Sequence, residues 1–113
     1  MQVLVHCDDH VCCDNELIRR VEGVVAGTLE RFGDHLFRVE VWLRDLQSEK
    51  PGDRDQVCHL EARFAGATPL SAEYQAATLA EALHEAANRL ERLVERHLRE
   101  YLTRASNLRA NMH

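Results

Sequence analysis

The sequence predicts an α+β domain with elements in the order β-α-β-β-β-α, a four-stranded sheet with both helices packed on one face. Two observations predict it. Apolar residues recur at helical spacing in two long segments, and between those segments they alternate with polar residues over three shorter ones. Amphipathic helices and a half-apolar sheet can share one core only as stacked layers. The one continuous apolar set across the strands is Val39, Val41, Leu43, Cys58, Leu60, Ala62, Phe64, Leu70 and Ala72, so a single sheet face must receive both helices.

The elements follow in order. Gln2 to His6 is a brief apolar run suited to a strand. Asp14 then offers an N-cap to a helix whose apolar positions Leu17, Val21, Val24, Val25, Leu29 and Phe32 keep the helical period, and Gly33 is placed to end it. From Leu36 to Asp45 the period becomes two: Val39, Val41 and Leu43 point one way, Arg38, Glu40, Trp42 and Arg44 the other. That is a half-buried antiparallel strand. The polar run 47–55, with Pro51-Gly52, reads as an exposed loop. Cys58, Leu60, Ala62 and Phe64 mark the next strand, Gly66 to Pro69 a turn, and Leu70, Ala72 and Tyr74 the last strand. The final helix runs from Leu79 to about Arg104 with Leu79, Leu83, Ala86, Leu90, Leu93, Val94, His97 and Tyr101 on one face. Ala105 to His113 lacks periodicity, so residues 1–104 form the domain and 105–113 a flexible tail.

Composition bounds the function. A chain of 113 residues with 45% hydrophobic content holds one domain with a modest core. Its net charge of −5 argues against non-specific nucleic-acid binding, which draws on clusters of phosphate-neutralising cations, but leaves room for a local basic face. Of the 14 basic residues only Lys50 is a lysine. Arginine favours bidentate phosphate contacts and base stacking, although a GC-rich genome produces the same bias. The first 18 residues carry Asp8, Asp9, Asp14 and Glu16 but no Lys or Arg, which does not fit a secretory signal, and no apolar run is long enough for a membrane span. The expectation is therefore a cytoplasmic protein whose four cysteines are thiols.

Three groups of residues could carry chemistry. Arg89, Arg92, Arg96 and Arg99 recur at three- and four-residue steps beside the apolar face of the last helix. Glu85, Glu95 and Glu100 precede Arg89, Arg99 and Arg104 at i,i+4, a spacing worth ~0.2–0.5 kcal/mol per pair in a solvated helix. The stripe is thus either a solvated face or one that meets RNA. Arg92 and Arg96 are the strongest candidates, because like charges at i,i+4 are mildly destabilising without an anionic partner.

Trp42 lies on the strand face opposite Val41 and Leu43, with Arg44, Arg63 and His59 nearby. It can stack on a base, close a homodimer or pack on a neighbouring side chain. The third group is His6 to Asp14, dense in cysteine, histidine and aspartate. Cys7, His10 and Cys12 (or Cys13) offer thiolate and imidazole donors to a thiophilic ion. The spacing is not CxxC, however, and the alternative is that these cysteines pack as small apolar residues. No metal and no cofactor are expected. Cys58 reads as structural and His97 as a core-edge histidine. With no glycine-rich phosphate loop, nucleophile elbow, HExxH or paired carboxylates in apolar runs, the chain does not read as an enzyme.

Three local patterns, in this order, resemble the ribosome hibernation-promoting factor (ribosome-associated inhibitor) family over roughly residues 1–100. They are the first helix from Asp14-Asn15-Glu16-Leu17 to Leu29-Glu30-Arg31-Phe32-Gly33-Asp34, the Ser71-Ala72-Glu73 strand end, and Asn88-Arg89-Leu90-Glu91-Arg92 continuing to Arg96-His97. The resemblance implies a fold akin to double-stranded-RNA-binding domains and a binding protein, not an enzyme. It further implies that the partner is the small ribosomal subunit with its rRNA, that the protein lodges in the channel of messenger and transfer RNA, and that it silences ribosomes under stress or in stationary phase. The residues that would meet RNA are Arg89, Arg92, Arg96, Arg99, Arg44, Arg63 and Trp42. The chain departs from the family where lysines usually occupy the middle of the first helix: here that segment is Gly23-Val24-Val25-Ala26-Gly27-Thr28. The alternative function is a diverged domain serving as a metal- or thiol-dependent sensor through His6 to Cys13.

Overall fold

A computed structural model describes residues 1–47 and 53–111. The chain order is β1 (Gln2–Cys7), α1 (Asn15–Leu29), a 3₁₀ turn (Glu30–Phe32), β2 (Leu36–Asp45), β3 (Gln56–Phe64), β4 (Leu70–Ala76) and α2 (Leu79–Asn111). The strands form one sheet in the order β1-β2-β3-β4. β1 pairs parallel to β2, because the chain crosses over through α1, whereas β2, β3 and β4 are antiparallel neighbours.

The period-two residues sort as the sequence predicts. Val39, Val41, Leu43, Cys58, Leu60 and Ala62 are fully buried on one face. There they meet Val21, Val25 and Leu29 of α1 and Leu83, Leu90 and Val94 of α2 in a single cluster, so both helices cover one face. Leu70, Ala72 and Tyr74 pack at its edge. The core stops at an open sheet face whose central row, set by the strand register, is His6–Trp42–His59–Glu73.

Both helix starts follow their sequence signals. The Asp14 carboxylate accepts the Leu17 N–H at 2.8 Å, capping α1. Thr78 Oγ1 accepts from Glu81 N at 3.2 Å, capping α2. The ends differ from expectation. α1 stops at Leu29 and tightens into the 3₁₀ turn, with Gly33 at φ −52°, so Gly33 closes that turn without using left-handed backbone. Gly66, by contrast, sits at φ +72° and supplies the left-handed residue of the β3–β4 turn. The polar β2–β3 segment was expected to be a loop; its Pro51-Gly52 pair lies outside the described residues, and its ends are tied by Leu46 N donating to Asp55 O at 2.8 Å.

The last helix continues past Arg104 to Asn111. Loss of apolar periodicity signals only that no face is buried, and Ala105, Leu108 and Ala110 are strong helix formers with no Gly or Pro among them. The 33-residue helix is ~50 Å long at 1.5 Å per residue, which accounts for most of the 64 Å long axis of the molecule. Its outer turns stand clear of the sheet: Tyr101, Leu102 and Leu108 are exposed. Tyr101 is therefore not part of the buried face, whose actual line is Ala82, Leu83, Ala86, Ala87, Leu90, Val94 and Leu98.

Candidate nucleic-acid interface

The arginines fall into two sets with different surroundings. On the open sheet face every arginine has a carboxylate. Arg38 and Arg63 bring Nε to 3.2 and 3.6 Å from Glu40 Oε1, and Arg63 Nη2 lies 2.7 Å from Glu61 Oε1. The first two contacts are Coulombic only: neither buried Nε–H forms a hydrogen bond, that of Arg38 for its direction and that of Arg63 for its distance. Arg44 Nη2 donates to Glu73 Oε1 at 3.2 Å. The cause is register: Arg38 stands opposite Arg63 and Glu40 opposite Glu61, so a basic row adjoins an acidic one.

Trp42, at the centre of this face, is half-buried between two histidines. His6 stacks on it with centroids 5.2 Å apart and planes 22° from parallel, and His59 meets it edge-on at 5.5 Å. Each histidine also reaches a carboxylate, His6 to Glu40 at 3.5 Å and His59 to Glu73 at 3.4 Å. Of the residues expected near Trp42, His59 touches it and Arg44 stands two residues along the same strand, whereas Arg63 lies two rows away opposite Arg38; the arginines are matched by carboxylates and one face of the indole is already occupied.

On α2 the balance is different. Glu91 and Glu95 lean toward the 3₁₀ turn, where Arg31 lies 3.5 Å from both, so the side of α2 facing α1 is neutralised. Arg99 joins the same network through Glu95 at 3.3 Å. Arg89 turns the other way, toward β4, and lays its guanidinium 4.8 Å from the Tyr74 ring centroid instead of pairing with Glu85. Arg96, two turns further on, continues the Arg89 line, and Arg92 lies between them. Both are exposed, and among the described residues neither has a carboxylate partner. Arg54 comes into the same region, lining a shallow groove with Glu73, Tyr74, Gln75 and Arg89.

Sequence reasoning missed Arg54, Tyr74 and Arg31 as neighbours of the stripe. No local signal could have found them, since each contact joins α2 to a distant segment. His97, read as a core-edge histidine, packs half-buried against Phe64 with centroids 5.0 Å apart.

The amino-terminal cluster corrects the expectation of four thiols. Cys7 and Cys13 are joined as a disulfide with Cα atoms 6.0 Å apart, leaving Cys12 as an exposed thiol and Cys58 as a buried one. The physical reason is a turn that spacing did not reveal. The Asp8 carboxylate accepts from His10 N at 3.0 Å and from Asp45 N at 3.3 Å, while Asp8 O accepts from Val11 N at 3.3 Å. The chain therefore doubles back and brings Cys13 beside Cys7. With its sulfur bonded, Cys7 cannot join His10 and Cys12 as a thiolate ligand, and no metal-binding group of three ligands occurs among the described residues.

Desolvation at the helix-covered face pushes the Cys58 thiol up to about 12, with the charge of Glu73 adding to the shift. The Asp45 carboxyl is held below its ordinary value, chiefly by the Gln47 N–H it accepts at 2.8 Å. Among the described residues no helix is long and apolar enough to cross a membrane.

The fold has solved counterparts. The N-terminal domain of Protein Y from Thermus thermophilus superposes with a TM-score of 0.70 at 22% identity, over 86% of this chain and 99% of that one. A ribosomal subunit interface protein from Coxiella burnetii gives a TM-score of 0.63 at 11% identity, over 86% of this chain and 97% of that one. At these identities the likeness is one of fold. No curated protein sequence matches. Residues 8–101, however, match the family described as Sigma 54 modulation protein / S30EA ribosomal protein, and on that match, which spans α1, β2 to β4 and α2 as far as Tyr101, the chain belongs to this family.

Proposed function

We propose that this protein binds the small ribosomal subunit in the cytoplasm, through rRNA contacts made by Arg89, Arg92 and Arg96 on the outer flank of α2. Bound in the channel of messenger and transfer RNA, it silences ribosomes under stress or in stationary phase by occlusion, without chemistry. The observation that carries this reading is the pair Arg92 and Arg96: two exposed like charges on one helix flank with no carboxylate among the described residues, where Arg31, Arg38, Arg44, Arg63 and Arg99 all pair with glutamates. Such a pair is tolerated at little cost alone and becomes favourable beside phosphate. The family and the name of the Coxiella protein, a ribosomal subunit interface protein, support the choice of partner.

Arg99 contributes through its remaining donors. Arg44, Arg63 and Trp42 contribute only where RNA displaces Glu73, Glu61 and Glu40, so the sheet face is the weaker contact. The inter-helix side has glycine and valine on α1, and its Arg31 is already paired with Glu91 and Glu95 of α2, so it is the weaker side for phosphate. Sedimentation with purified small subunits in low-salt sucrose gradients tests the reading. Wild-type protein should travel with the subunit, and Glu91→Gln/Glu95→Gln should travel at least as well. Protein that stays at the top of the gradient at low salt would end the proposal.

A further inference from the structure

The Cys7–Cys13 bond ties the end of β1 to the residue before the α1 cap, and the exposed Cys12 thiol stands next to it in the chain. We propose that Cys7, Cys12 and Cys13 form a thiol–disulfide exchange site whose substrates are low-molecular-weight thiols and their disulfides. This inference concerns the free protein and does not depend on the ribosome reading.

The chemistry needs no metal. A small thiolate attacks Sγ of the exposed Cys13, a mixed disulfide forms, and Cys7 leaves as a thiolate that takes up a proton. A second small thiol attacks the mixed disulfide and frees Cys13. In total one protein disulfide and two small thiols become two protein thiols and one small disulfide: two electrons pass to the protein and the two protons end on Cys7 and Cys13. Cys12 reacts in the opposite sense, attacking a small disulfide to give a mixed disulfide and releasing one small thiol. Cys58 takes no part, being fully buried on the helix-facing side of β3 with its thiol pushed up to about 12.

The bond has mechanical consequences at both of its ends. Asp14, next to Cys13, caps α1, and Asp8, next to Cys7, holds the start of the loop against the end of β2. His6, on the other side of Cys7, stacks on Trp42, the only tryptophan. Opening the bond thus loosens the α1 cap and reaches an intrinsic fluorophore.

Thiol titration of native protein equilibrated with mixtures of reduced and oxidised glutathione, followed by removal of the glutathione, tests the site. At the oxidising end the Cys7–Cys13 bond should persist and Cys12 should be recovered as a glutathione mixed disulfide by mass. At the reducing end three thiols should react, and Cys58 only after unfolding. Reduction should also lower the melting temperature by several degrees and shift Trp42 emission. Cys13→Ser should melt near the reduced wild type at every glutathione ratio, although Cys12 still takes up glutathione, while Cys58→Ala should respond as wild type does. The inference falls if Cys7 and Cys13 titrate as free thiols at every ratio. It falls equally if Cys13→Ser melts and fluoresces like the oxidised protein, since the bond would then hold nothing in place.

Discussion

The open sheet face and the outer flank of α2 both present arginines, yet only the second presents positive charge. On the sheet Arg38, Arg44 and Arg63 lie among Glu40, Glu61 and Glu73, all within 3.6 Å of a partner. On the helix Arg92 and Arg96 stand in solvent with Arg89 beside them over Tyr74. Counting residues would rate the two surfaces alike. Phosphate does not read residue counts; it reads charge that has not already been spent on a neighbour, and displacing a bound carboxylate costs much of what the new contact gains.

The largest expected effect removes the support that both surfaces share. Leu60 is fully buried at the centre of β3, opposite Val41 and Ala72, with the helices on one side and Trp42's row on the other. Leu60→Ala should cost ~2–5 kcal/mol, read as a lower urea midpoint with unchanged slope. A midpoint close to wild type would mean that β3 does not carry the core, and the division into two faces would lose its basis.

Next in size is the helix flank itself. Arg92→Gln/Arg96→Gln should leave the melting temperature near wild type, since neither residue is buried, and should lower the steepness of the salt dependence of ribosome binding by about two units, about a hundredfold in affinity at ~0.1 M salt. The matched pair Arg44→Gln/Arg63→Gln should change binding far less. If the two pairs lose affinity equally, neutralisation by glutamate is irrelevant and the comparison breaks.

A third substitution turns one surface into the other. Glu40 is nearly buried, with a side chain 14% exposed, and holds Arg38, Arg63 and His6 around it. Glu40→Gln should destabilise by ~1–2 kcal/mol, because it leaves half-buried guanidinium groups less well compensated. It should also strengthen binding to RNA through the sheet face, and a salt dependence that steepens relative to wild type would show it. Weaker binding in a folded Glu40→Gln protein would mean that the ion pairs organise the sheet face for its partner instead of silencing it.

Much of this was legible in the chain. Alternation at Val39, Val41 and Leu43 and at Cys58, Leu60 and Ala62 placed the strands and their buried face, and the helical period placed both helices on it, because each pattern is local. The stripe from Arg89 to Arg99 was visible too. What was not visible is pairing across the fold. The register that sets Arg38 against Arg63, the approach of Arg31 to Glu91 and the rotation of Arg89 onto Tyr74 join residues far apart in sequence. Local i,i+4 bookkeeping expected Glu85 to hold Arg89, whereas a ring on β4 does so. The Cys7–Cys13 bond was missed for the same reason: a turn organised by Asp8 against β2 decides it, not the spacing of the cysteines.

The smallest effect, absent at neutral pH, distinguishes the two faces of β3 by titration. Cys58 faces the helices, next to His59 on the open side, and burial raises its thiol from the ordinary 9.0 to about 12. Below about pH 9 the thiol is protonated in the folded and the unfolded chain alike, so it contributes nothing to the pH dependence. Above that value the unfolded chain ionises while the folded one keeps its proton, so the folded state binds more protons and stability falls as pH rises, by about 1.4 kcal/mol per unit until the folded thiol itself ionises near 12. Urea midpoints of wild type and Cys58→Ala at about pH 8 and about pH 10 isolate this contribution, because every other alkaline group is common to both proteins. Wild type should lose roughly one such increment more than the variant between the two conditions. Equal losses would mean that Cys58 is solvated, and that water reaches the face of the sheet on which both helices, and with them the arginine flank, are seated.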